Sequence, residues 1–253
     1  MKILGILGSQ SRQGVTAQML QQVLDHVDAK IETETIFLED YEIHPRNVHT
    51  NNDLQVLVNK LAASDVWVLA APTYWRELSG IMKKFLDCLR PELVYFKKNG
   101  DTIPGPFKNK HYLTITACYA STLENWLTGV TDETFKTMDR VMSAAGVIKV
   151  GEIVCPNTLH LSRLPRAKQQ LCARYGAKLS TYVRKDDATV KRYVQLFLMI
   201  ALMALVTMTL QVFLGKFLPL TNFWWNYLSF TIIFFVLLAC LLHFVTFVKH
   251  RRR

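Results

Sequence analysis

Residues 8–16 read Gly-Ser-Gln-Ser-Arg-Gln-Gly-Val-Thr and follow directly on the apolar run Lys2-Ile3-Leu4-Gly5-Ile6-Leu7. A plain turn needs fewer polar groups than this. Ser9, Ser11 and Thr16 supply hydroxyl donors and Arg12 supplies a cation, with Gly14 between them. At a helix N-terminus, free backbone N–H groups and the helix dipole add to that set, so an anion is the guest the loop suits. The spacing is neither G-x-x-x-x-G-K-[ST] nor G-x-G-x-x-G, which disfavours a nucleoside triphosphate or a Rossmann dinucleotide and leaves a monophosphate. A polar turn whose Ser caps a helix is the alternative reading of this loop alone.

Two further loops carry chemistry. Pro72-Thr73-Tyr74-Trp75 places adjacent aromatics outside a run of apolar residues, where they either line something flat or, for one of them, cover a sheet. Ala117-Cys118-Tyr119-Ala120-Ser121 offers small and polar residues that can pass close to a ring. The five Cys (88, 118, 155, 172, 240) contain no C-x-x-C pair, so zinc-ribbon, iron–sulfur and thioredoxin-type chemistry find no support, and their scatter fits a reducing compartment.

These loops need a scaffold that brings them to one edge. Lys2–Gly8, Ile31–Phe37, Val66–Ala71, His111–Ala117 and Val147–Val154 read as strands, and Val66–Ala71 is apolar at consecutive positions, as a strand covered on both faces requires. Helical spacing occupies Thr16–Val27, Leu54–Ala63, Gly80–Leu89, Asp132–Ala145 (with Thr131 as its cap) and Arg166–Tyr182. Alternating strands and helices predict an α/β fold with a doubly wound, five-stranded parallel sheet that binds ligands at the carboxyl ends of its strands.

Charge divides the chain of 253 residues. Of 30 Lys and Arg and 20 Asp and Glu, every acidic residue precedes Tyr193, and only Lys216, Lys249, Arg251, Arg252 and Arg253 are basic beyond it. Residues 193–214 and 223–248 are each long and apolar enough to span a hydrocarbon core of roughly 30 Å, with Gly215 and Pro219 in the connector, predicting a transmembrane helical hairpin. A basic juxtamembrane linker (183–192) precedes it and a basic tail (249–253) follows it. By the positive-inside rule, the 1–182 domain and the C-terminus face the cytoplasm at the cell membrane. Trp224, Trp225 and Tyr227 suit an aromatic belt, and His243 lies near enough to the basic end to snorkel. The N-terminus has no signal-peptide pattern. The basic surplus is juxtamembrane, which argues for membrane lipid and against nucleic acid.

Gly8-Ser9-x-Ser11-Arg12-x-Gly14-x-Thr16, together with Ala71-Pro72-Thr73-Tyr74-Trp75 and its continuation Leu78-Ser79-Gly80-Ile81-Met82-Lys83-Lys84-Phe85-Leu86-Asp87, resembles the NADPH-dependent FMN reductase family of the flavodoxin-like superfamily over roughly residues 1–182. The resemblance implies a flavodoxin-like sheet of order 2-1-3-4-5. It implies FMN as cofactor, its phosphate held by Ser9, Ser11, Arg12, Gly14 and Thr16. The isoalloxazine would then be wrapped by Pro72, Thr73, Tyr74 and Trp75 and approached by Thr116, Ala117, Cys118 and Tyr119. It further implies NAD(P)H as co-substrate and a homodimer. Lys83 and Asp87 match the family pattern. Relatives that ligate iron–sulfur carry a Cys cluster where this chain has Tyr41 to His49 without Cys, so that centre is not carried over; His44 and His49 read as solvated.

The expectation is a membrane-anchored oxidoreductase passing electrons from NAD(P)H through FMN to a quinone, a flavin or another small acceptor. A lipid-soluble quinone suits the tether. The alternatives are a flavodoxin-like electron carrier serving a membrane partner and a non-catalytic flavin-binding adaptor. The segment from Lys97-Lys98 to Lys108-x-Lys110, with Pro104-Gly105-Pro106 inside it, reads as a nucleotide lid or a dimer loop.

Overall fold

The five residues Val66–Ala70 are all buried, because this strand lies at the centre of the sheet with helices over both faces. The computed structural model describes residues 1–45, 52–98, 100–159, 161–182, 189–215 and 222–252. They form two compact units, residues 1–184 and 185–252.

In the first unit the elements are β1 (Lys2–Leu7), α1 (Val15–Leu24), β2 (Glu32–Phe37), α2 (Asn52–Ala63), β3 (Val66–Ala70), β4 (Thr73–Tyr74), β5 (Glu77–Leu78), α3 (Gly80–Leu93), β6 (Val94–Phe96), β7 (Thr102–Pro104), β8 (His111–Ala117), α4 (Thr122–Thr128), α5 (Asp132–Ala144), β9 (Ile148–Cys155) and α6 (Arg166–Leu179). The main sheet is parallel in the order β2-β1-β3-β8-β9, the doubly wound arrangement expected from the alternation. Period-two alternation distributes the core. Ile3, Leu7, Val66, Val68 and Leu113 join one cluster with residues of α1 and α6, whereas Leu4, Ile6, Trp67 and Leu69 join the other with α2, α3 and α5. Trp67 is fully buried, and its indole N–H reaches the Leu61 carbonyl (3.2 Å) and Ser64 Oγ (3.0 Å), which removes the cost of burying that donor. At the α1–α6 packing, a Cβ on Gly176 would come within 2.2 Å of the Val23 carbonyl oxygen, so only glycine allows this approach.

Several boundaries differ from the sequence reading. Helix α1 ends at Leu24, and Val27 closes a further turn on the Leu24 carbonyl. Helix α3 runs on to Leu93, with Pro91 in its last turn. Strand β9 runs from Ile148 to Cys155, one residue later than expected, and bulges at Val150, where the register passes from Tyr112–Lys149 to Leu113–Gly151. Thr131 stands at the N-cap of α5 but does not cap it. Its N–H and hydroxyl both donate to Asn125 Oδ1 (3.0 and 3.2 Å) instead, joining α5 to α4. Helix α4 and the hairpins β4–β5 and β6–β7 carry too few residues to show a period.

The second unit contains α7 (Thr189–Leu214) and α8 (Phe223–Arg252). Within them Leu196–Phe213 and Phe223–Leu241 are long and apolar enough to cross a membrane. Gln211 Nε2 donates to the Asn226 carbonyl (2.6 Å) and Ser229 Oγ (2.8 Å), so the polar groups of the pair satisfy one another. Residues 183–188, Lys216 and Arg253, on which part of the orientation argument stands, lie outside the described residues, as do His49 and its neighbours from Arg46 onward.

Candidate functional site

The loops following β1, β3 and β8 meet at the carboxyl edge of the sheet. The ladder carries them there: Gly8 N–H donates to the Ala70 carbonyl (2.8 Å) and Ala71 N–H to that of Ile115 (3.0 Å). Beyond Gly8 the chain folds on its own hydroxyls. Ser9 Oγ accepts from the Ser11 N–H and Ser11 Oγ from the Gln13 N–H, both at 3.2 Å. Gly14 is the N-cap of α1, with extended backbone and no side chain to offer the first turn, and no acidic residue occupies that turn. Ser9 and Thr16 are buried there. The first turn of α1 thus presents backbone N–H groups that no cap side chain takes up.

The loop is also fixed from below. Ser79, just before α3, donates its buried hydroxyl to the Gly8 carbonyl at 2.6 Å. A Cβ on Gly8 would stand 2.7 Å from Met82 Cβ, so a larger residue would force the loop away from α3. Arg12 lies on the other side. Its guanidinium pairs with Asp40 and covers the Phe37 ring at 4.3 Å from the centroid, beside a cleft of about 580 Å³ that Gln13, Gln18 and Thr35 also line. The structure therefore places Arg12 against the β2 edge, while Ser9, Ser11, Gly14 and Thr16 gather at the start of α1.

After β3, the Pro72–Trp75 stretch is a two-stranded hairpin, β4–β5, with Trp75 and Arg76 at its tip. Both have positive φ (53° and 67°), the requirement of a two-residue primed turn that Asn-Gly meets without strain. A Trp and an Arg held there leave the Trp75 side chain 93% exposed and Tyr74 42% exposed. Pro72 and Thr73 are buried. Thr73 Oγ1 lies 2.9 Å from Thr116 Oγ1 and 2.8 Å from Thr134 Oγ1, and all three hydroxyls are buried. This chain of hydroxyls ties the aromatic hairpin to the end of β8 and to α5. Thr73 and Thr116 thus spend their side chains inside the fold, and only their backbone remains to face a ligand.

Ala117 and Cys118 are buried as well, and Tyr119 is 61% exposed. Burial pushes the Cys118 thiol up to about 11, so it stays protonated at neutral pH and is a poor nucleophile. The sequence reading missed Ser79 and Thr134. Ser79 was visible as the residue opening a helix; Thr134 had no signal, because its partner lies 61 positions away. Among the described residues no cluster of three His, Cys, Asp or Glu could hold a metal.

The fold has known counterparts. Residues 1–122 match the NADPH-dependent FMN reductase family. An iron–sulfur flavoprotein of Methanocaldococcus jannaschii is 28% identical over 108 residues, covering 38% of this chain and 56% of that protein. The chain thus spans little more than half of that curated relative, and 62% of the length of a flavone reductase of known structure (18% identity, 71% of this chain, TM-score 0.56). An NAD(P)H:quinone oxidoreductase from Methanothermobacter marburgensis superposes with a TM-score of 0.57 at 14% identity, over 74% of this chain and 99% of the other. An FMN-dependent NADH-azoreductase from Bacillus anthracis, solved with FMN, gives 0.54 at 16%, over 71% and 97%. At such identities the superpositions establish the fold. The first unit is a flavodoxin-like α/β sheet, and its residues 1–122 match the NADPH-dependent FMN reductase family.

Proposed function

We propose that the chain is an FMN-dependent NAD(P)H oxidoreductase, held at a membrane by α7 and α8, that reduces a small acceptor of the quinone or flavin type. One observation carries the reading: a phosphate-sized polar loop at an uncapped helix start shares a sheet edge with a hairpin that exposes two aromatic rings. The residues fit the cofactor. Ser9, Ser11, Gly14 and Thr16, with the first backbone N–H groups of α1, would hold its phosphate. Tyr74, Trp75 and Tyr119, with the backbone of residues 72–73 and 116–118, would border its ring. Bound FMN would supply the capacity to accept a hydride and release electrons singly or in pairs.

The protein's own part is to bind and orient. Ser79 and Met82 fix the height of the phosphate loop against α3. The Thr73–Thr116–Thr134 hydroxyls fix the hairpin relative to β8, so the exposed rings stand on a rigid base. No side chain at this edge is arranged as a general acid or base among the described residues. Arg12 commits one nitrogen to Asp40 and would keep its other N–H donors for the phosphate.

The test is the absorption spectrum of detergent-purified full-length protein after addition of FMN, then of NADPH without oxygen. Flavin bands that shift on binding and bleach with NADPH support the reading. A flavin that binds and stays oxidised makes the protein an electron carrier, and no flavin binding rejects the site.

A further inference from the structure

The Lys97–Lys110 segment is left over by this function. It does not cover the phosphate loop. Helix α3 starts beside Gly8 at the carboxyl edge and runs 14 residues, about 21 Å, to the opposite edge, where β6 and β7 form a small antiparallel hairpin. Gly105 secures its base by donating to the Leu93 carbonyl at 2.9 Å, in a space where a Cβ would meet the Glu92 and Leu93 carbonyl oxygens at 2.8 Å.

The hairpin's composition is specific. Tyr95 and Ile103 are cross-strand partners and stand side by side, 55% and 40% exposed. Phe96, on the other face, is 53% exposed, with the Arg90 guanidinium 4.7 Å from its centroid. Lys97 and Lys98 occupy the turn, and exposed Lys108 follows. Against these four cations stand Glu92 and Asp101. Tyr182, the last described residue of the unit, packs its ring at a tilt against His111 (5.2 Å between centroids), the first residue of β8, so the chain leaves the unit by this same edge. Seven positions later begins the first of the two membrane-length helices.

We infer that the amino edge of the sheet, through the β6–β7 hairpin, rests on an anionic bilayer surface. Exposed Tyr, Phe and Ile enter the headgroup region while Lys97, Lys98 and Lys108 meet lipid phosphates, the division of labour that interfacial aromatics and juxtamembrane lysines perform. The inference rests on α7 and α8 lying in a bilayer. It goes beyond the proposed function by giving the hairpin a lipid partner of its own.

The experiment is amide hydrogen exchange on the full-length protein in nanodiscs of phosphatidylcholine alone and of phosphatidylcholine with phosphatidylglycerol. The expected result is exchange across residues 94–104 slowed at least threefold in the anionic discs, reversed by high salt and by Lys97→Glu/Lys98→Glu, with residues 72–79 unchanged. Tyr95→Ser/Ile103→Ser should also restore fast exchange, and unaltered protection of β8 in both variants shows that each has folded. Equal exchange in the two discs overturns the inference, as does protection at 72–79 in place of 94–104, or protection that follows protein concentration and not lipid charge. Failure of the protein to enter discs removes the membrane reading itself. None of these outcomes bears on flavin binding, which the absorption spectrum reports separately.

Discussion

Thr73→Val removes the central member of a buried hydroxyl chain while keeping the shape of the side chain. Thr73 Oγ1 sits 2.9 Å from Thr116 Oγ1 and 2.8 Å from Thr134 Oγ1, and the three residues are 3%, 0% and 0% exposed. A hydroxyl can donate once and accept twice, so Thr73 is able to serve both neighbours at once. With valine in its place, two hydroxyls lose a partner where water does not reach them. Each orphaned group costs about 1–3 kcal/mol, and rotation towards other acceptors recovers part of it, which gives roughly 2–4 kcal/mol in total. Thr73→Ser keeps the oxygen and loses one methyl, about 1 kcal/mol. Urea unfolding of the detergent-solubilised chain, followed by tryptophan emission with buried Trp67 as the responding reporter, reads the difference. For a urea slope of about 2 kcal/mol/M, Thr73→Val lowers the midpoint by about 1–2 M and Thr73→Ser by about 0.5 M. Thr73→Val/Thr116→Val should cost less than the sum of its single changes, because it leaves one orphan fewer. A Thr73→Val midpoint equal to the parent's, or equal to that of Thr73→Ser, refutes the idea that the hydroxyl chain anchors the hairpin.

Other expectations follow from single features of the same edge. Gly8→Ala presses a methyl onto Met82 Cβ and Cα and should destabilise by about 1–3 kcal/mol in the same urea experiment, with weaker FMN binding as the loop lifts. Arg76→Gly relieves a positive φ and should stabilise by up to about 1 kcal/mol, read as a higher thermal midpoint; a loss would mean that the Arg76 side chain outweighs the strain. Burial raises the Cys118 thiol from 9.0 to about 11 and the Cys172 thiol from 9.0 to about 12. Both groups hold their proton more tightly when folded, so their contribution is complete below pH 9 and is lost as the pH rises from about 9 towards 11 and 12. Stability should therefore fall by about 1.4 kcal/mol per pH unit per thiol in that window, and Cys172→Ala should flatten the alkaline limb.

The sequence alone determined the secondary elements long enough to show a period. The consecutive apolar runs at 66–70 and in β1 and the helical spacing at Leu54, Leu57, Val58 and Leu61 each reflect burial imposed on a local geometry, and the alternation of strands and helices restricted the winding. The loops at 8–16 and 72–75 were legible because their polar and aromatic residues had no role inside an element. Two apolar helices beyond residue 188 were equally plain from length and composition.

Tertiary structure decided what each of those side chains does. Arg12 was free in the sequence to meet an anion, but Asp40 and Phe37, brought alongside by β1–β2 pairing, already hold it. The Thr73 and Thr116 hydroxyls bond each other across 43 positions of sequence. Thr131 stood at a cap position and turned to Asn125. The Lys97–Lys110 segment became a hairpin on the far edge because α3 carries the chain there. In each case the partner comes from a distant part of the chain or from a local contact that periodicity does not encode. A short-range pattern records which residues must be buried, and only the packed fold fixes which polar groups then satisfy one another.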